Sequence, residues 1–515
     1  MCYDPGILGT DFQILMIKRA LIPAAGRGRR AYPRTEYVPK VLLEVDGKPL
    51  LQRNIELLRD TLGIRDITII VGYRGDQVYE RFGDGAQLGV SLRYVECHDV
   101  DQGLASGIML VREEFNEPFV TILGDEVYID SNHGELEQLL KEPFEVICGI
   151  HPSADADEIK RNYSVRLADD AIAELIEKPV KIENRMLGCG TYVFTPKIFE
   201  AIEMTPRSPR SGRVELTDAI NLLARRNGAV RPFFLSGTYF NINSTDELNY
   251  AKYVARAARF PLNKVSVVIP AFNEAESIEY VVRDFREHVD EVFVVDNSST
   301  DDTAAVARAA GARVETVRLQ GYGDTIRYGL DHAAGDILIV TEADFSFRAR
   351  DLGKLLEYLK DADLVMGTRT TRELIEQGTN MRGPVRIGNI VVAKLIEVLW
   401  WRHRPRFTDV GCTYRALWRD TYDRIRPLLT GVGPELAPEM MVAALQTEQR
   451  VIEVPVSYHR RVAGESKHSA NYLRIARTAL RMLRTIVWMR AGAQPMKTHV
   501  RQARPVLPQA ALPAR

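Results

Sequence analysis

Short apolar runs alternate with segments of helical periodicity along most of the chain. Runs of branched and aromatic residues, typical of buried strands, occur at 20–22, 67–71, 119–123, 145–148, 265–269 and 292–295. Between some of them, segments such as 50–62 and 136–140 repeat apolar residues at the three- and four-residue spacing of amphipathic helices. Alternating strands and helices predict mostly parallel sheets flanked by helices, with ligands bound at the carboxyl ends of the strands.

This alternation begins twice, which predicts two tandem α/β domains. The first series covers 16–255 and the second covers 264–490. We interpret 255–263, which contains Pro261, as the linker, and the Pro- and Ala-rich tail 491–515 as disordered. A chain of 515 residues is long enough to give each domain its own core.

Composition and charge indicate an ordinary globular protein. Hydrophobic residues make up 45% and charged residues 27% of the chain, and the net charge of −1 argues against a nucleic-acid partner. The five cysteines lie far apart, without the pairs that ligate metals, which indicates reduced cytosolic thiols. We find neither a secretory signal nor an apolar run of the ~18–20 residues that span a bilayer. The expected location is the cytoplasm, and the oligomeric state stays open.

A loop rich in glycine and arginine follows the first predicted strand. Gly26 and Gly28 lie two positions apart, and the cations Arg30 and Lys40 follow. Glycine allows backbone N–H groups to approach phosphate oxygens closely, and the two cations supply countercharge. Many tight turns contain similar glycines, so the loop by itself is weak evidence for a phosphate site.

Further motifs accompany this loop in a fixed order. They are Pro39-Lys40, Gly47-Lys48-Pro49-Leu50, Gly124-Asp125, Glu177-Lys178-Pro179 and Gly188-Cys189-Gly190-Thr191-Tyr192. In combination they resemble the sugar-1-phosphate nucleotidylyltransferases. The resemblance implies that a sugar phosphate oxygen attacks the α-phosphorus of a nucleoside triphosphate, releasing pyrophosphate and forming a nucleotide sugar. Transfer of this kind depends on positioning and charge neutralisation, which suits these residue types.

The resemblance also assigns roles in the first domain. It implies that Arg30 and Lys40 hold the triphosphate and that Lys178 holds the sugar phosphate, and we treat these three as catalytic. The implied substrate-binding residues are Gly26, Gly28, Gln102, Gly103, Glu177 and Gly190. Taken alone, Glu177 and Lys178 are better explained as a solvated surface pair, and Asp125 as a helix N-cap; the functional interpretation depends on the ordered set of motifs.

A divalent cation, Mg²⁺ or Mn²⁺, is implied in each domain. In the first domain, Asp125 is the expected carboxylate ligand. The second ligand in the family is usually also a carboxylate, whereas this chain has Asn243 at that place. A neutral ligand predicts weaker metal binding, or a first domain that has lost turnover.

Motifs of a second kind follow the strands of the second domain. They are Pro270-Ala271-Phe272-Asn273-Glu274, 296–303, Gly321-Tyr322-Gly323-Asp324, Glu342-Ala343-Asp344 and 460–467. They resemble the family 2 glycosyltransferases of the GT-A fold, most closely the polyprenyl-phosphate sugar synthases. The resemblance implies a single in-line displacement at the anomeric carbon of a nucleotide sugar, with inversion.

The second resemblance implies that Glu342 and Asp344 bind the cation that grips the donor diphosphate, with Asp344 also catalytic. The implied substrate-binding residues are Pro270, Asn273, Glu274, Asp296, Asn297, Gly323 and Lys467. Arg460 and Arg461 are the expected catalytic cations for an acceptor phosphate. A sugar hydroxyl would need a general base, whereas a lipid phosphate is already an anion and needs cations and an apolar track.

The last helical pattern, 472–490, is basic and amphipathic. Its basic face contains Arg474, Arg477, Arg481 and Arg484, and its apolar face contains Leu473, Ala476, Leu480, Leu483, Ile486 and Val487. Such a helix suits the headgroup layer of an anionic membrane, or it packs on the domain with its arginines in water. The apolar stretch 387–401 is a second candidate for membrane contact, although core packing explains most of it.

These expectations combine into one hypothesis, a bifunctional enzyme that is peripheral on the inner membrane face. The first domain would make a nucleotide sugar from a nucleoside triphosphate and a sugar 1-phosphate, and the second would transfer the sugar to polyprenyl phosphate. One alternative keeps both folds with a soluble acceptor, and another makes the first domain a regulatory nucleotide-binding module. The sequence does not identify the sugar, the base or the lipid length.

Overall fold

The computed structural model describes residues 17–32, 34–153, 155–225, 229–377, 379, 381, 383–403, 405–462 and 472–492. They belong to two compact units that divide between Ala255 and Arg256. Lys467, a predicted site residue, and the predicted tail after Gly492 lie outside the described residues. Among the helices that are described, none is both long and apolar enough to cross a membrane.

Strands and helices of the first unit alternate as the sequence predicts. Its strands are β1 (Arg19–Pro23), β2 (Glu44–Val45), β3 (Lys48–Pro49), β4 (Asp66–Val71), β5 (Ser91–Glu96), β6 (Phe119–Ile122), β7 (Glu126–Ile129), β8 (Val146–Pro152), β9 (Tyr163–Ala168), β10 (Ala171–Glu177), β11 (Met186–Phe194), β12 (Val230–Phe234) and β13 (Thr238–Asn241). Its helices are α1 (Leu50–Asp60), α2 (Gly75–Phe82), α3 (Leu104–Met109), α4 (Leu136–Leu139), α5 (Ala156–Arg161), α6 (Lys197–Met204), α7 (Leu216–Ala224) and α8 (Thr245–Arg259), of which residues 256–259 belong to the second unit.

A nine-stranded mixed sheet forms the centre of the first unit. Its parallel part has the order β6-β1-β4-β5, and β11 pairs antiparallel with β6 to add the remaining strands. All of β6 and the middle of β1 are buried, as in strands covered on both faces. The glycine-rich loop follows β1 and Asp125 follows β6, so both lie at the carboxyl edge of neighbouring parallel strands.

A separate two-stranded ribbon completes this edge. β7 pairs antiparallel with β13, and Glu126 lies opposite Asn241. The Ile242 N–H also donates to the Asp125 carbonyl at 3.0 Å. The ribbon therefore brings the segment after β6 beside the segment that precedes α8, although the two are more than a hundred residues apart in sequence.

The second unit repeats the alternation. Its strands are β14 (Val265–Ala271), β15 (Glu291–Asp296), β16 (Arg313–Thr316), β17 (Ile337–Val340), β18 (Leu364–Thr368), β19 (Arg415–Trp418) and β20 (Val451–Pro455). Its helices are α9 (Ile278–Arg286), α10 (Thr303–Ala309), α11 (Tyr322–His332), α12 (Leu352–Leu359), α13 (Pro384–Leu399), α14 (Arg419–Ile425), α15 (Leu436–Gln446) and α16 (Tyr472–Ala491).

These strands form a seven-stranded sheet in the order β16-β15-β14-β17-β19-β18-β20. All neighbours are parallel except that β19 runs antiparallel to both β17 and β18. One face is covered by a core that includes α9 and α12, and the other by a core that includes α13, α15 and α16. The carboxyl ends of β14, β15 and β17 meet at one edge, where three of the predicted motifs begin.

The predicted fold class, two α/β domains with mostly parallel sheets, is confirmed. The segment interpreted as a linker is largely helical, because α8 continues to Arg259 and a short 3₁₀ turn covers Phe260–Leu262. Pro261 fits in that turn because proline lacks an N–H that the first turn of a helix would leave unpaired in any case. A proline here therefore begins a short helix instead of ending one.

Candidate functional sites

The glycine-rich loop after β1 requires glycine at Gly28. Its φ of +61° lies in the left-handed region, and a Cβ at this position would lie 3.0 Å from the Lys40 Cβ. The Thr35 hydroxyl donates to the Gly28 carbonyl at 2.7 Å and fixes the turn. A Cβ at Gly26 would meet nothing within 4 Å, so this glycine borders open space where a ligand could approach the backbone. The loop thus packs against the Lys40 side chain at Gly28, while its tip at Gly26 stays accessible to a ligand.

Four of the residues predicted for the first site converge beside this loop. The buried Lys40 ammonium contacts the Asp125 carboxylate and donates to the Asn243 Oδ1 at 3.1 Å. The Arg30 guanidinium donates to the same Asn243 oxygen at 2.7 Å. Two cations therefore meet one carboxylate and one amide oxygen, which is an arrangement suited to holding phosphate together with a hard metal ion.

Asn243 is held by the start of α8. The Ser244 hydroxyl accepts from the Glu247 N–H at 3.2 Å, and the Glu247 carboxylate accepts from the Asn243 N–H at 2.6 Å. These reciprocal bonds have the form of a capping box, which satisfies donors at a helix start. The backbone of Asn243 is therefore held by local contacts that do not involve Lys40.

A chain of hydrogen-bonded asparagines connects this site to the predicted motif that contains Glu177 and Lys178. The Asn243 amide donates to the Asn241 Oδ1 at 2.9 Å, and the Asn241 amide donates to the Asn162 Oδ1 at 2.9 Å. The Asn162 carbonyl in turn accepts from the Lys178 N–H at 2.7 Å. This chain orients the Asn243 oxygen toward Lys40, because its amide nitrogen is already committed to Asn241.

Glu177 and Lys178 lie at the end of β10, beside an arginine-rich segment. Arg210 donates to the carbonyls of both residues, at 2.9 and 3.0 Å. Lys178 has a φ of +43° and its ammonium lies 3.7 Å from the Glu177 carboxylate, whose pKa is raised mainly by burial. The exposed Lys178 side chain is therefore free to move toward an anion while its backbone stays fixed.

Gln102 and Gly103 lie beside the tip of the glycine-rich loop. The Arg27 guanidinium and the Asp101 carboxylate are 4.0 Å apart, which connects the loop to the turn that contains Gln102. Gly103 has a φ of +95°, and a Cβ there would lie 3.5 Å from the Arg213 side chain. The predicted substrate-binding residues Gln102 and Gly103 thus lie near both the loop and a further cation.

A buried carboxylate lies directly behind Asp125. Glu126 is 1% exposed and accepts from the Gly190 N–H at 2.8 Å and from the Tyr239 hydroxyl at 2.6 Å, with a further bond from Tyr128. Burial is the main reason that its pKa is raised to about 8. Through these bonds Glu126 connects β7 to β11 and β13, the strands that place Asp125, Gly190 and Asn243.

The first site fits a divalent cation that keeps part of its water shell. Asp125 and Asn243 each direct a hard oxygen atom toward the Lys40 ammonium. The protein therefore already stabilises positive charge at the place where a divalent cation would bind between these oxygens. Mg²⁺ in nucleotide sites is commonly held by one or two protein oxygens together with substrate phosphates. Within the described part of the chain, no group of three or more His, Cys, Asp or Glu could hold a metal by itself.

In the second unit, the loops after β14 and β15 hold each other. The Asn273 Oδ1 accepts from the Thr300 N–H at 2.8 Å, and the Glu274 N–H donates to the Thr303 hydroxyl at 2.8 Å. Asp296, at the end of β15, is 1% exposed and accepts from the Ser299 N–H at 3.3 Å. Two motifs separated in sequence therefore form one wall.

Gly323 lies at the start of α11, where a Cβ would be 2.5 Å from the Gly431 carbonyl.

The acidic pair after β17 is joined by an arginine from the far end of the domain. The Arg461 Nε lies 2.9 Å from the Asp344 carboxylate, and its Nη2 lies 3.8 Å from the Glu342 carboxylate. The Thr413 hydroxyl donates to Glu342 at 2.7 Å, and the Ser346 N–H donates to Asp344 at 2.9 Å. Two carboxylates that converge on one cation are a donor set that fits a divalent metal. Here the Arg461 guanidinium is the cation between them.

Arg460 and Arg461 have different surroundings, although the sequence assigns them one role. The Arg460 N–H donates to the Glu376 carboxylate at 2.8 Å, and the residue is exposed. Of the two arginines, only Arg461 contacts the acidic pair. Arg369, directly after β18, forms a buried two-bond pair with Asp409 at 2.8 and 3.0 Å, which holds the loop that leads to Thr413.

The surroundings of Glu342 predict a pH dependence of cation binding at the second site. Burial and the nearby Asp344 charge raise its pKa to about 7, against the opposing effect of Arg461. A protonated carboxyl is a poor metal ligand, so the cation concentration for half-maximal second-site activity should rise about tenfold per pH unit below that pKa. Glu342→Gln should remove this dependence together with most activity. A cation requirement that stays flat from about pH 6 to about pH 8 would contradict the assignment.

A cavity of about 470 Å³ opens beside the acidic pair. Several predicted residues line it, namely Pro270, Glu274, Asn297, Glu342, Asp344 and Arg461. The rest of its wall includes apolar side chains from α13, α15 and α16, such as Val392, Met440 and Met482. A charged group and an apolar wall in one cavity suit a ligand with an anionic head and an apolar tail.

The comparisons with known proteins divide the chain in the same way as the fold. Residues 19–240 match the family described as Nucleotidyl transferase, and residues 266–415 match Glycosyl transferase family 2. UTP–glucose-1-phosphate uridylyltransferase AglF of Haloferax volcanii is 31% identical over 236 residues, which are 45% of this chain and 95% of that protein. An uncharacterized glycosyltransferase of Mycobacterium tuberculosis is 35% identical over 208 residues, 40% of this chain and 90% of that protein. The chain belongs to both families.

Each half of the chain is therefore a transferase domain. The nucleotidyl transferase half is also similar to glucose-1-phosphate thymidylyltransferase of Streptomyces griseus, with 30% identity over 240 residues, 46% of this chain and 66% of that protein. The relatives thus differ in the nucleotide that their names state. The glycosyl transferase half has the GT-A type of fold that the sequence predicts.

Sequence reasoning missed several residues of both halves. In the nucleotidyl transferase half these are Glu126, Asn162, Arg210, Arg213 and Asn241, and in the glycosyl transferase half Thr413 and the apolar cavity wall. One signal was available, because Glu126 places a carboxylate in an otherwise apolar strand next to Asp125. The others belong to no recognisable motif and become neighbours only through folding.

Proposed function

We propose that the first half makes a nucleotide sugar from a nucleoside triphosphate and a sugar 1-phosphate, and that the second half transfers the sugar to polyprenyl phosphate. The observation that supports this most is the cavity in the second unit. It combines Glu342, Asp344 and Arg461 with apolar side chains from three helices. A phosphorylated polyprenol has a matching anionic head and apolar tail, whereas a soluble sugar acceptor would leave the apolar wall unused.

In the first reaction, the sugar phosphate oxygen attacks the α-phosphorus in line and pyrophosphate leaves, while the chain's cations neutralise the charge of the triphosphate. Arg30 and Lys40 would hold the triphosphate, and their convergence on the Asn243 oxygen supports this role. Lys178 would hold the sugar phosphate, and Glu177 its hydroxyls. Mg²⁺ or Mn²⁺ bound by Asp125 and Asn243 would add charge neutralisation at the phosphates. The name of one relative, a UTP–glucose-1-phosphate uridylyltransferase, makes glucose 1-phosphate the first sugar to test.

In the second reaction, the acceptor phosphate oxygen attacks the anomeric carbon, and the nucleoside diphosphate leaves with the bonding electron pair. One displacement inverts the anomeric centre, which is consistent with the family. Asp296 and Asn297 would hold the nucleoside, and Arg461 would orient the acceptor phosphate. A divalent cation at Glu342 and Asp344 would neutralise the departing diphosphate. The acceptor phosphate is already an anion, so the reaction needs no general base.

The proposed acceptor also determines where the protein works. A polyprenyl chain is anchored in a bilayer, so the second half would act at a membrane surface. We therefore propose that the protein associates peripherally with the inner membrane face. The basic helix α16 supports this proposal, because it contributes Ala479 and Met482 to the cavity wall and also presents exposed arginines.

One experiment tests both activities in sequence. Nucleoside triphosphates are screened against hexose 1-phosphates for pyrophosphate release, and the labelled product is then given to the same protein with polyprenyl phosphate. We expect release with at least one pair and a lipid-soluble, acid-labile labelled product. A water-soluble product formed only with a small phosphorylated acceptor would contradict the lipid proposal and favour the soluble-acceptor alternative.

Asn243 prompts the second candidate, a first half that only senses nucleotide. Asn243→Asp should lower the cation concentration for half-maximal pyrophosphate release by about tenfold, because a charged ligand replaces a neutral one. Gln87→Glu adds the same charge at an exposed turn and should leave that concentration unchanged. Absence of pyrophosphate release in both the wild type and Asn243→Asp would favour the sensing function.

A further inference from the structure

The outer sides of α13 and α16 expose an unusual number of large apolar side chains. We define the α13–α16 surface by Ile387, Val391, Val398, Trp401, Leu480, Val487 and Trp488, which are each between 57 and 68% exposed. On α13 the first three lie four and seven residues apart, which places them along one line of the helix. A run of exposed apolar residues of this kind marks an interaction site more often than it marks an ordinary surface.

The exposure does not arise from loose packing of the two helices. Each has a separate buried side in the same core, with Val392 and Ile396 from α13 and Met482 and Ile486 from α16. The two helices also contact each other. The Arg490 guanidinium lies 5.7 Å from the Trp400 ring, which brings their carboxyl-terminal ends together. The outer apolar side chains are therefore additional to those that the fold requires.

The charge of this surface is positive. Arg477, Arg481 and Arg484 are exposed on α16 and alternate with the exposed Leu480 and Val487, and the chain has no acidic residue after Glu465. Exposed apolar side chains interleaved with arginines suit the boundary of an anionic bilayer, where acyl chains and phosphate headgroups lie a few ångströms apart. The two exposed tryptophans add to this match, because indole rings favour the headgroup level.

The same two helices form part of the cavity beside Glu342 and Asp344. Val385 and Val392 of α13 and Ala479 and Met482 of α16 line it. We propose that the α13–α16 surface docks the protein on an anionic lipid bilayer. This inference rests on the proposed function, because docking there would place the cavity wall against the leaflet that holds the acceptor.

Flotation of the full chain with lipid vesicles that contain no acceptor tests the surface directly. We expect binding to vesicles of phosphatidylcholine with phosphatidylglycerol, little binding to phosphatidylcholine alone, and weaker binding as salt increases. Tryptophan emission supplies a second readout, because Trp401 and Trp488 are exposed whereas Trp400 and Trp418 are buried. Emission should shift to shorter wavelength with the anionic vesicles. Failure of the wild type to float with them would overturn the proposal.

Variants separate the two attractions. Val391→Ser combined with Val398→Ser and Trp401→Ser, and separately Arg477→Gln with Arg481→Gln and Arg484→Gln, should each weaken vesicle binding at least about tenfold. Leu262→Ser with Met204→Ser removes exposed apolar side chains elsewhere and should leave binding unchanged. Equal vesicle binding by the apolar variant and the wild type would overturn the proposal. The proposal would also be overturned if the wild type bound no vesicles but formed a dimer, and the apolar variant were a monomer.

A water-soluble, short-chain polyprenyl phosphate distinguishes failure of this inference from failure of the proposed function. The apolar variant should transfer sugar to this acceptor at the wild-type rate, since its three substituted residues do not line the cavity. Loss of that activity would overturn a pure docking role. Vesicle binding by a wild type that transfers sugar to no polyprenyl phosphate would refute the proposed function while supporting the docking surface.

Discussion

Replacing Asp344 by asparagine is expected to reduce glycosyl transfer from a supplied nucleotide sugar at least about 100-fold, while pyrophosphate release by the first half stays unchanged. Asp344 is 3% exposed, and its carboxylate faces both Arg461 and the neighbouring Glu342. Asparagine keeps the shape and can still accept from the Ser346 N–H, so the fold should be retained. What is lost is one of two charges that would bind the cation. The measurement is the initial rate of labelled sugar transfer at saturating Mg²⁺.

Asp361→Asn is the matched control for this experiment. Asp361 is also an aspartate paired with an arginine, with its oxygens 2.9 and 3.1 Å from the Arg450 guanidinium. It does not line the cavity. Its replacement should leave transfer close to the wild-type rate. If Asp344→Asn behaved like this control, the acidic pair would be a structural feature and the second site would have to lie elsewhere.

Lys40→Met is expected to have an effect of similar size on the other half. Pyrophosphate release should fall about 100- to 1,000-fold, because Lys40 is the buried cation that contacts both Asp125 and Asn243. Methionine retains the apolar stem that packs under Gly28 and removes only the charged end. Glycosyl transfer from a supplied nucleotide sugar should not change, since the lysine belongs to the first unit.

Lys197→Met is the control for this second prediction. Lys197 is likewise paired with a carboxylate, that of Glu145, but its side chain is half exposed on α6. We expect its replacement to leave pyrophosphate release unchanged. Wild-type release by Lys40→Met would show that Lys40 is only a structural partner of Asp125, and that Arg30 or another cation holds the triphosphate.

Much of each site follows from local sequence. The run of apolar residues at β1 and the positive φ of Gly28 are properties of a few neighbouring residues, and so is the capping box that fixes Asn243. Because parallel strands end at one edge, placing Asp125 after a strand already predicted its neighbourhood to the glycine-rich loop. The family resemblance predicted Arg461 as a cation for the acceptor phosphate, and its contact with the acidic pair is known only from the structure.

Other features of the sites depend on contacts between distant segments. The chain Asn243, Asn241, Asn162 and Lys178 joins residues from three separate segments, and Asn162 belongs to none of the predicted motifs. The difference between Arg460 and Arg461 also follows from tertiary contacts, since the two are adjacent and chemically identical. A polar side chain acquires its role from its partner, and sequence spacing does not identify a partner from another strand.

The amphipathic helices show the same division. Periodicity predicted α16 and its two faces, but it could not show that Met482, Ile486 and Met489 are buried while Leu480 and Val487 are exposed. It also favoured core packing for most of 387–401, whereas Ile387, Val391, Val398 and Trp401 are exposed. The side chains of 472–475, among them Leu473 and Arg474, lie outside the described residues.

The sequence by itself determined the two α/β domains, the order of their strands and helices, and the motifs at the strand ends. These depend on hydrophobic periodicity and on backbone preferences, which act between residues close in the chain. Only the tertiary structure decided which side chains meet, where the cavity opens, and which apolar faces stay uncovered. These depend on neighbours far apart in sequence, because burial and electrostatic pairing are properties of a residue's surroundings in space.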